Sequence, residues 1–201
     1  MASVVKNIVQ LLAKKYGFDA KAAMKIMEKD VTEDVDMLHV DNWKRDSSKE
    51  VETQLSYYTR MKSREEVLDL VGLQSKPFGT KAEKFIQNVF KLGPRTSTQN
   101  DGVRNGKKIE IKTARYWAGK DECRWQHLEP DHDYEVVLFV LLDFDKWNVW
   151  AINKHLLIGE LMDKKIVTFQ GKQGCWVKKS DVLPYLTQIR NVKELDEFLS
   201  R

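Results

Sequence analysis

Two cysteines in 201 residues are too few for a disulfide framework, and Cys123 and Cys175 stand alone without the CxxC spacing of a structural zinc site. They read as reduced thiols. No long apolar run is present either: the longest, Val136 to Leu142, falls far short of the ~20 residues that cross a bilayer. The first fifteen residues, "MASVVKNIVQLLAKK", are broken by Lys6 and Gln10 and lack a small-residue cleavage site, which argues against a secretory signal. Internal repeats and low-complexity tracts are missing. The expectation is an intracellular protein with no membrane segment.

What is present describes a globular chain. Hydrophobic residues make up 42% and charged residues 32%, enough apolar content for one large domain or for a catalytic domain with a small helical appendage. The net charge of +4 is unevenly spread. Residues 76 to 128 hold twelve Lys/Arg against five Asp/Glu, a balance of +7, which leaves −3 for the remainder. A positive zone around a few carboxylates suits a polyanion held beside a metal ion.

Along the chain, apolar residues at Val5, Ile8, Val9 and Leu12 recur at helical spacing, and Asp19 can cap a second helix that buries Ala23, Ile26 and Met27. This pair reads as a packing or dimerisation element ahead of a DNA-reading helix-turn-helix, because the second helix carries no distinctive base-reading set. Residues 31 to 56 form an acidic connector with a short helix. "SREEVLDLVGL" predicts a helix capped by Ser63 with Glu66, and "TKAEKFIQNVFKLG" predicts another that begins at Thr80, with Glu83 closing a capping box. "VVLFVLL" predicts a strand covered on both faces, with "WNVWAI" as its antiparallel neighbour. "NKHLLIGELM" reads as a short helix, "KIVTFQG" and "GCWVKK" as strands, Ser180 as the cap of "DVLPYLTQI", and "NVKELDEFLS" as a terminal helix. The result is an α/β fold with a mixed sheet flanked by helices, organised as an N-terminal helical region over 1–75 and a core over 76–201.

The chemistry concentrates in "NDGVRNGKKIEIKT", residues 100 to 113. Asn105-Gly106 is a strong hairpin signal, since both residues tolerate the positive φ of a type I′ turn. That turn pairs Arg104 with Lys107 and Gly102 with Ile109, and brings Asp101 opposite Glu110. Two carboxylates so placed repel, so a cation belongs between them. Lys112 projects from the face of Glu110, while Ile109 and Ile111 turn to the core. The competing reading is a cross-strand ion pair of Lys112 with Glu110 on a solvated hairpin.

A helix with an early Glu83, a strand carrying Asp101, and "EIK" as Glu110, Ile111 and Lys112, followed by further strands, together resemble the PD-(D/E)xK nucleases. Within that group, the size and the "RWQHL…DYEVVLFVLLDF…WNVWAI" run resemble type II restriction endonucleases. The resemblance covers roughly residues 76 to 155. It departs from the family motif at Asn100, where the family's name gives proline.

The resemblance implies a restriction-endonuclease-like core and magnesium-dependent hydrolysis of double-stranded DNA by a homodimer. Asp101, Glu110 and the carbonyl of Ile111 would hold Mg2+, and Lys112 would face the attacking water. Glu83 would serve a second metal or orient a water, unless it is the capping-box carboxylate. Phosphodiester hydrolysis needs charge neutralised at phosphate and a deprotonated water, and magnesium accepts one or two carboxylates for that purpose. The expected DNA-facing residues are Arg104, Arg115, Tyr116, Lys120, Arg124 and Gln126, where Arg matches guanine and Gln matches adenine. Trp117 and Trp125 read as core, and "HLEPDHD" as a turn. Two rival readings remain, a structure-selective repair or junction nuclease and a non-catalytic DNA-binding module.

Overall fold

The computed structural model describes residues 52–118 and 122–201. The expected N-terminal helical pair, most of the expected acidic connector and Lys120 lie outside them. Three helices lead into the sheet: α1 Glu52–Arg60, α2 Glu65–Val71 and α3 Ser75–Val89. The strands are β1 Gly102–Arg104, β2 Lys107–Arg115, β3 Arg124–Leu128, β4 Val136–Leu142, β5 Trp147–Asn153, β6 Val167–Phe169, β7 Cys175–Lys178 and β8 Thr187–Gln188. Between β5 and β6 a π-helical turn, His155–Glu160, runs into α4 Leu161–Asp163. Helix α5 Lys179–Val182 follows β7, and α6 Val192–Leu199 ends the described chain.

A mixed five-stranded sheet has the order β1-β2-β4-β5-β8, and a second sheet has the order β3-β7-β6. Strand β4 is buried along its whole length, because it runs parallel to β2 on one side and antiparallel to β5 on the other with both faces covered. The predicted "VVLFVLL" strand and its "WNVWAI" neighbour are therefore both present.

The register fixes what lies on each face. Glu110 shares a row with Val137 and Ile152, and Lys112 with Phe139 and Trp150; residues in one row point the same way. Trp125 of β3 stacks on Phe139 at 4.5 Å and meets Trp150 edge-on at 6.1 Å, so the small sheet packs on the face that carries Glu110 and Lys112. Trp125 also donates its indole N–H to the Val140 carbonyl at 2.9 Å, confirming it as core. Helix α3 covers the opposite face, where Phe78 and Phe85 stack on Trp147, in the row of Arg115 and Leu142. Helices α1 and α2 join the same core. Tyr58 donates to the Leu142 carbonyl at 2.7 Å and accepts the Tyr116 N–H at 3.0 Å.

Several predicted helix starts are corrected. Helix α3 begins at Ser75, not at Thr80, and runs through Pro77 and Gly79. Pro77 stands third in the helix, where a backbone N–H has no intrahelical partner and its loss costs nothing. Helix α2 starts after Arg64 with no side-chain cap, and the hydroxyl of Ser63 is buried without a hydrogen bond. Ser180 lies inside α5 and donates to Asp181 at 2.7 Å, and the helix expected there breaks at once into a 3-10 turn, Leu183–Tyr185, followed by β8. The terminal helix conforms: Asn191 caps it by accepting the Glu194 N–H at 3.0 Å.

Candidate active site

The hairpin forms with the predicted turn and register. Asn105 and Gly106 have φ of 49° and 77°, and the pairs Arg104–Lys107, Val103–Lys108 and Gly102–Ile109 are all made. The pairing stops there. Asp101 lies just before β1, its N–H donating to the Ile109 carbonyl at 2.8 Å while its carboxylate accepts the Ile111 N–H at 2.7 Å. The flat Asp101–Glu110 cross-strand pair is thus corrected to an offset one, with Asp101 reaching along the edge of β2.

Backbone N–H and C=O of one strand residue point to the same side. Ile109 and Ile111 both use β1's side, so the carbonyl of Ile111 points to the edge where β1 has already ended, beside Asp101. On the row next to it, Lys112 Nζ is 2.6 Å from Glu110 Oε1, with side-chain exposures of only 19% and 9%. A pair this enclosed differs from the solvated hairpin ion pair that the sequence left open.

Burial raises the pKa of Glu110; Lys112 opposes the rise, and the charge of Asp101 adds to it. The pKa of Asp101 is also raised by burial, against the pull of the Ile111 N–H, Lys112 and Arg95. The two carboxyls are close enough for each to act on the titration of the other. Two like charges enclosed together favour a proton or a cation beside them.

Glu83 belongs to the same group. With the helix beginning at Ser75, Glu83 stands in mid-helix, and the capping-box alternative is removed. Its Oε1 accepts from Gln87 Nε2 at 3.0 Å, and the same Gln87 amide donates to the Asp101 carbonyl at 2.9 Å, tying α3 to the start of the hairpin. Burial, then the charges of Asp101 and Glu110, push the Glu83 carboxyl up to about 7.

Asn100, just before Asp101, is buried and organises the approach loop. Its side chain accepts the Thr96 N–H at 3.2 Å and donates to Thr96 Oγ1 at 2.9 Å, and more weakly to the Asp133 carbonyl at 3.4 Å. These bonds hold the loop that leads into Asp101.

The structure does not bring the expected DNA-facing residues together at a surface. Arg104 is bidentate to Asp196 of α6 at 2.6 and 2.7 Å and donates to the carbonyls of Phe90 and Lys91, so it fastens the hairpin to the terminal helix. Arg115 is buried and donates to the carbonyls of Val71 and Leu73 with its guanidinium over Phe78, and burial pulls its pKa down to about 10. Tyr116 is buried, stacks on Phe144 at 5.1 Å and accepts from Lys179 at 3.0 Å. Arg124 lies over Trp117 and pairs with Glu122 at 2.9 Å. Gln126 is half-buried on β3, and Lys120 falls outside the described residues. Of the "HLEPDHD" stretch, expected to be a turn, His127 and Leu128 instead end β3, and the turn follows them.

Sequence reasoning missed four neighbours of the acids. Gln87 bridges Glu83 and Asp101. Arg95 is exposed, and its charge acts on both of those carboxyls. His132 acts on Glu110, and the buried Tyr134 hydroxyl feels the Glu110 charge and has no hydrogen-bond partner among the described residues. Gln87 was legible, one helical turn after Glu83; the other three depend on loop paths. Among the described residues no three His, Cys, Asp or Glu side chains converge as a ready-made metal group. Magnesium is less demanding, since one or two carboxylates suffice alongside its own waters. Compared with family models the sequence finds no match, and compared with curated proteins it again finds none.

Proposed function

We propose that the protein is a magnesium-dependent endodeoxyribonuclease of restriction type, cutting double-stranded DNA at a short specific sequence as a homodimer. The observation that carries this reading is the enclosed Glu110–Lys112 pair at 2.6 Å, set beside an Asp101 that is held by the Ile111 N–H. The donor set suits magnesium: two hard carboxylates with the single charge of Lys112 beside them, and a strand carbonyl at an open edge. Asp101, Glu110 and the carbonyl of Ile111 would hold the ion, which when bound would neutralise phosphate charge and lower the pKa of a water. Lys112, fixed by Glu110, presents a cation that favours hydroxide and phosphate in the same place. Glu83, held by Gln87, keeps a carboxyl able to take up or release a proton near neutral pH.

A structure-selective nuclease shares this chemistry, and one observation favours it. The arginines expected to read bases, Arg104 and Arg115, are spent on internal bonds. Incubation of supercoiled plasmid with the protein and Mg2+ tests both. Discrete fragments, abolished by chelator and reduced at least a hundredfold by Asp101→Ala, are the expected result. Cutting confined to branched DNA would overturn the restriction reading, and a wild-type rate in Asp101→Ala would overturn the site.

A further inference from the structure

The turn that leads into β4 is fastened beside the acids. The carboxylate of Asp133 pairs with the ammonium of Lys108, and its carbonyl accepts from Asn100 Nδ2 at 3.4 Å. Lys108 stands two residues before Glu110 on the same face of β2, and Asn100 immediately precedes Asp101. On the other side Lys154, just past β5, donates to the His132 carbonyl at 2.5 Å and lies 4.5 Å over the ring of Tyr134. Tyr134 follows Asp133 directly, so these fastenings hold its ring on the face of the sheet that carries Glu110 and Lys112. The residue is 3% exposed, and its enclosed hydroxyl has no hydrogen-bond partner among the described residues.

A buried hydroxyl without a partner costs folding free energy, and its retention points to a partner that arrives with the working site. We propose that Tyr134 is a positioning residue of the metal site, its hydroxyl taking a hydrogen bond from a water of the magnesium ion held at Asp101 and Glu110. This rests on the nuclease reading and deepens it. Magnesium bound by one or two carboxylates keeps several waters. Each of those waters is a donor, and Lys112 beside them has only protons to give. A phenol oxygen supplies lone pairs without adding a charge. Burial, then the charge of Glu110, raise the Tyr134 pKa above the ordinary tyrosine value, so the hydroxyl stays protonated and neutral. Groups that orient the inner shell of an ion from outside it are worth about 10–100-fold in metal affinity.

The test is calorimetric titration with Mg2+ alone, without DNA, of wild type, Tyr134→Phe and the control Tyr185→Phe, which alters an exposed tyrosine in the 3-10 turn. Tyr134→Phe should raise the Mg2+ dissociation constant at least about tenfold, and Tyr185→Phe should leave it unchanged. In chelator Tyr134→Phe should melt no lower than wild type, because no internal hydrogen bond is lost. An unchanged Mg2+ affinity, or a lower melting temperature in chelator, would overturn the role. Mg2+ binding that Asp101→Ala leaves intact would overturn it as well, by placing the ion elsewhere. Plasmid cleavage separates this role from the reading it rests on. If wild type cuts and Tyr134→Phe binds Mg2+ as tightly, the role fails and the nuclease stands. If Mg2+ affinity depends on Tyr134 and wild type cuts nothing, the role stands and the nuclease fails. A wild type that binds no Mg2+ overturns the role, and one that also leaves plasmid whole overturns both.

Discussion

Replacing Lys112 by methionine leaves Glu110 as a carboxylate with 9% side-chain exposure and no cation at 2.6 Å. Removing one partner of such an enclosed pair costs about 3–5 kcal/mol if the remaining charge stays ionised. Glu110 has an alternative, which is to take up a proton. Protonating a carboxyl of ordinary pKa near 4.3 costs about 1.4 kcal/mol per pH unit above that value, or about 3.8 kcal/mol at pH 7 and about 1 kcal/mol at pH 5. The cheaper route sets the loss, so Lys112→Met should destabilise the fold by about 3 kcal/mol at pH 7 and by about 1 kcal/mol at pH 5. The sign follows from linkage. A carboxyl whose folded pKa exceeds its unfolded value binds its proton more tightly in the folded chain, so stability is fullest in acid and is lost as pH rises through that interval. Urea denaturation of wild type and Lys112→Met at the two pH values, in chelator, measures both losses. Adding Glu110→Gln to Lys112→Met removes the stranded charge and should recover most of the deficit at pH 7. A single variant as stable as wild type at both pH values would mean a solvated pair of little worth, and the enclosed-site argument would fail with it.

Glu83, pushed up to about 7 by burial and by its acidic neighbours, should make wild-type stability fall as pH rises from about 4.5 to about 7 in the absence of divalent ions. Glu83→Gln should flatten that part of a thermal-denaturation profile, and an unchanged slope would remove Glu83 from the acid group. Arg115→Met should cost about 3 kcal/mol in chemical denaturation, because the carbonyls of Val71 and Leu73 lose a charged donor inside the core. The same variant should leave the salt dependence of duplex binding unchanged, whereas a reduced slope would return Arg115 to the DNA surface.

What the sequence made legible is local or strictly periodic. Asn105-Gly106 dictates its own turn, and the turn dictates the register, so Glu110 and Lys112 could be placed on one face before any coordinates were known. The apolar run of β4 admits only a strand with both faces covered. Helix starts were less legible because a cap signal is local and packing is not: Phe78 stacks on Trp147, and the helix that carries it begins at Ser75, ahead of Thr80, with Pro77 in its tolerant first turn. The fate of the arginines was hidden for a different reason. Residue type reports that a guanidinium seeks oxygen, yet Arg115 finds it at the end of α2 and Arg104 finds it on α6, 92 residues further along the chain. A basic segment read along the sequence therefore overcounts its surface charge by every cation that a distant carbonyl or carboxylate captures.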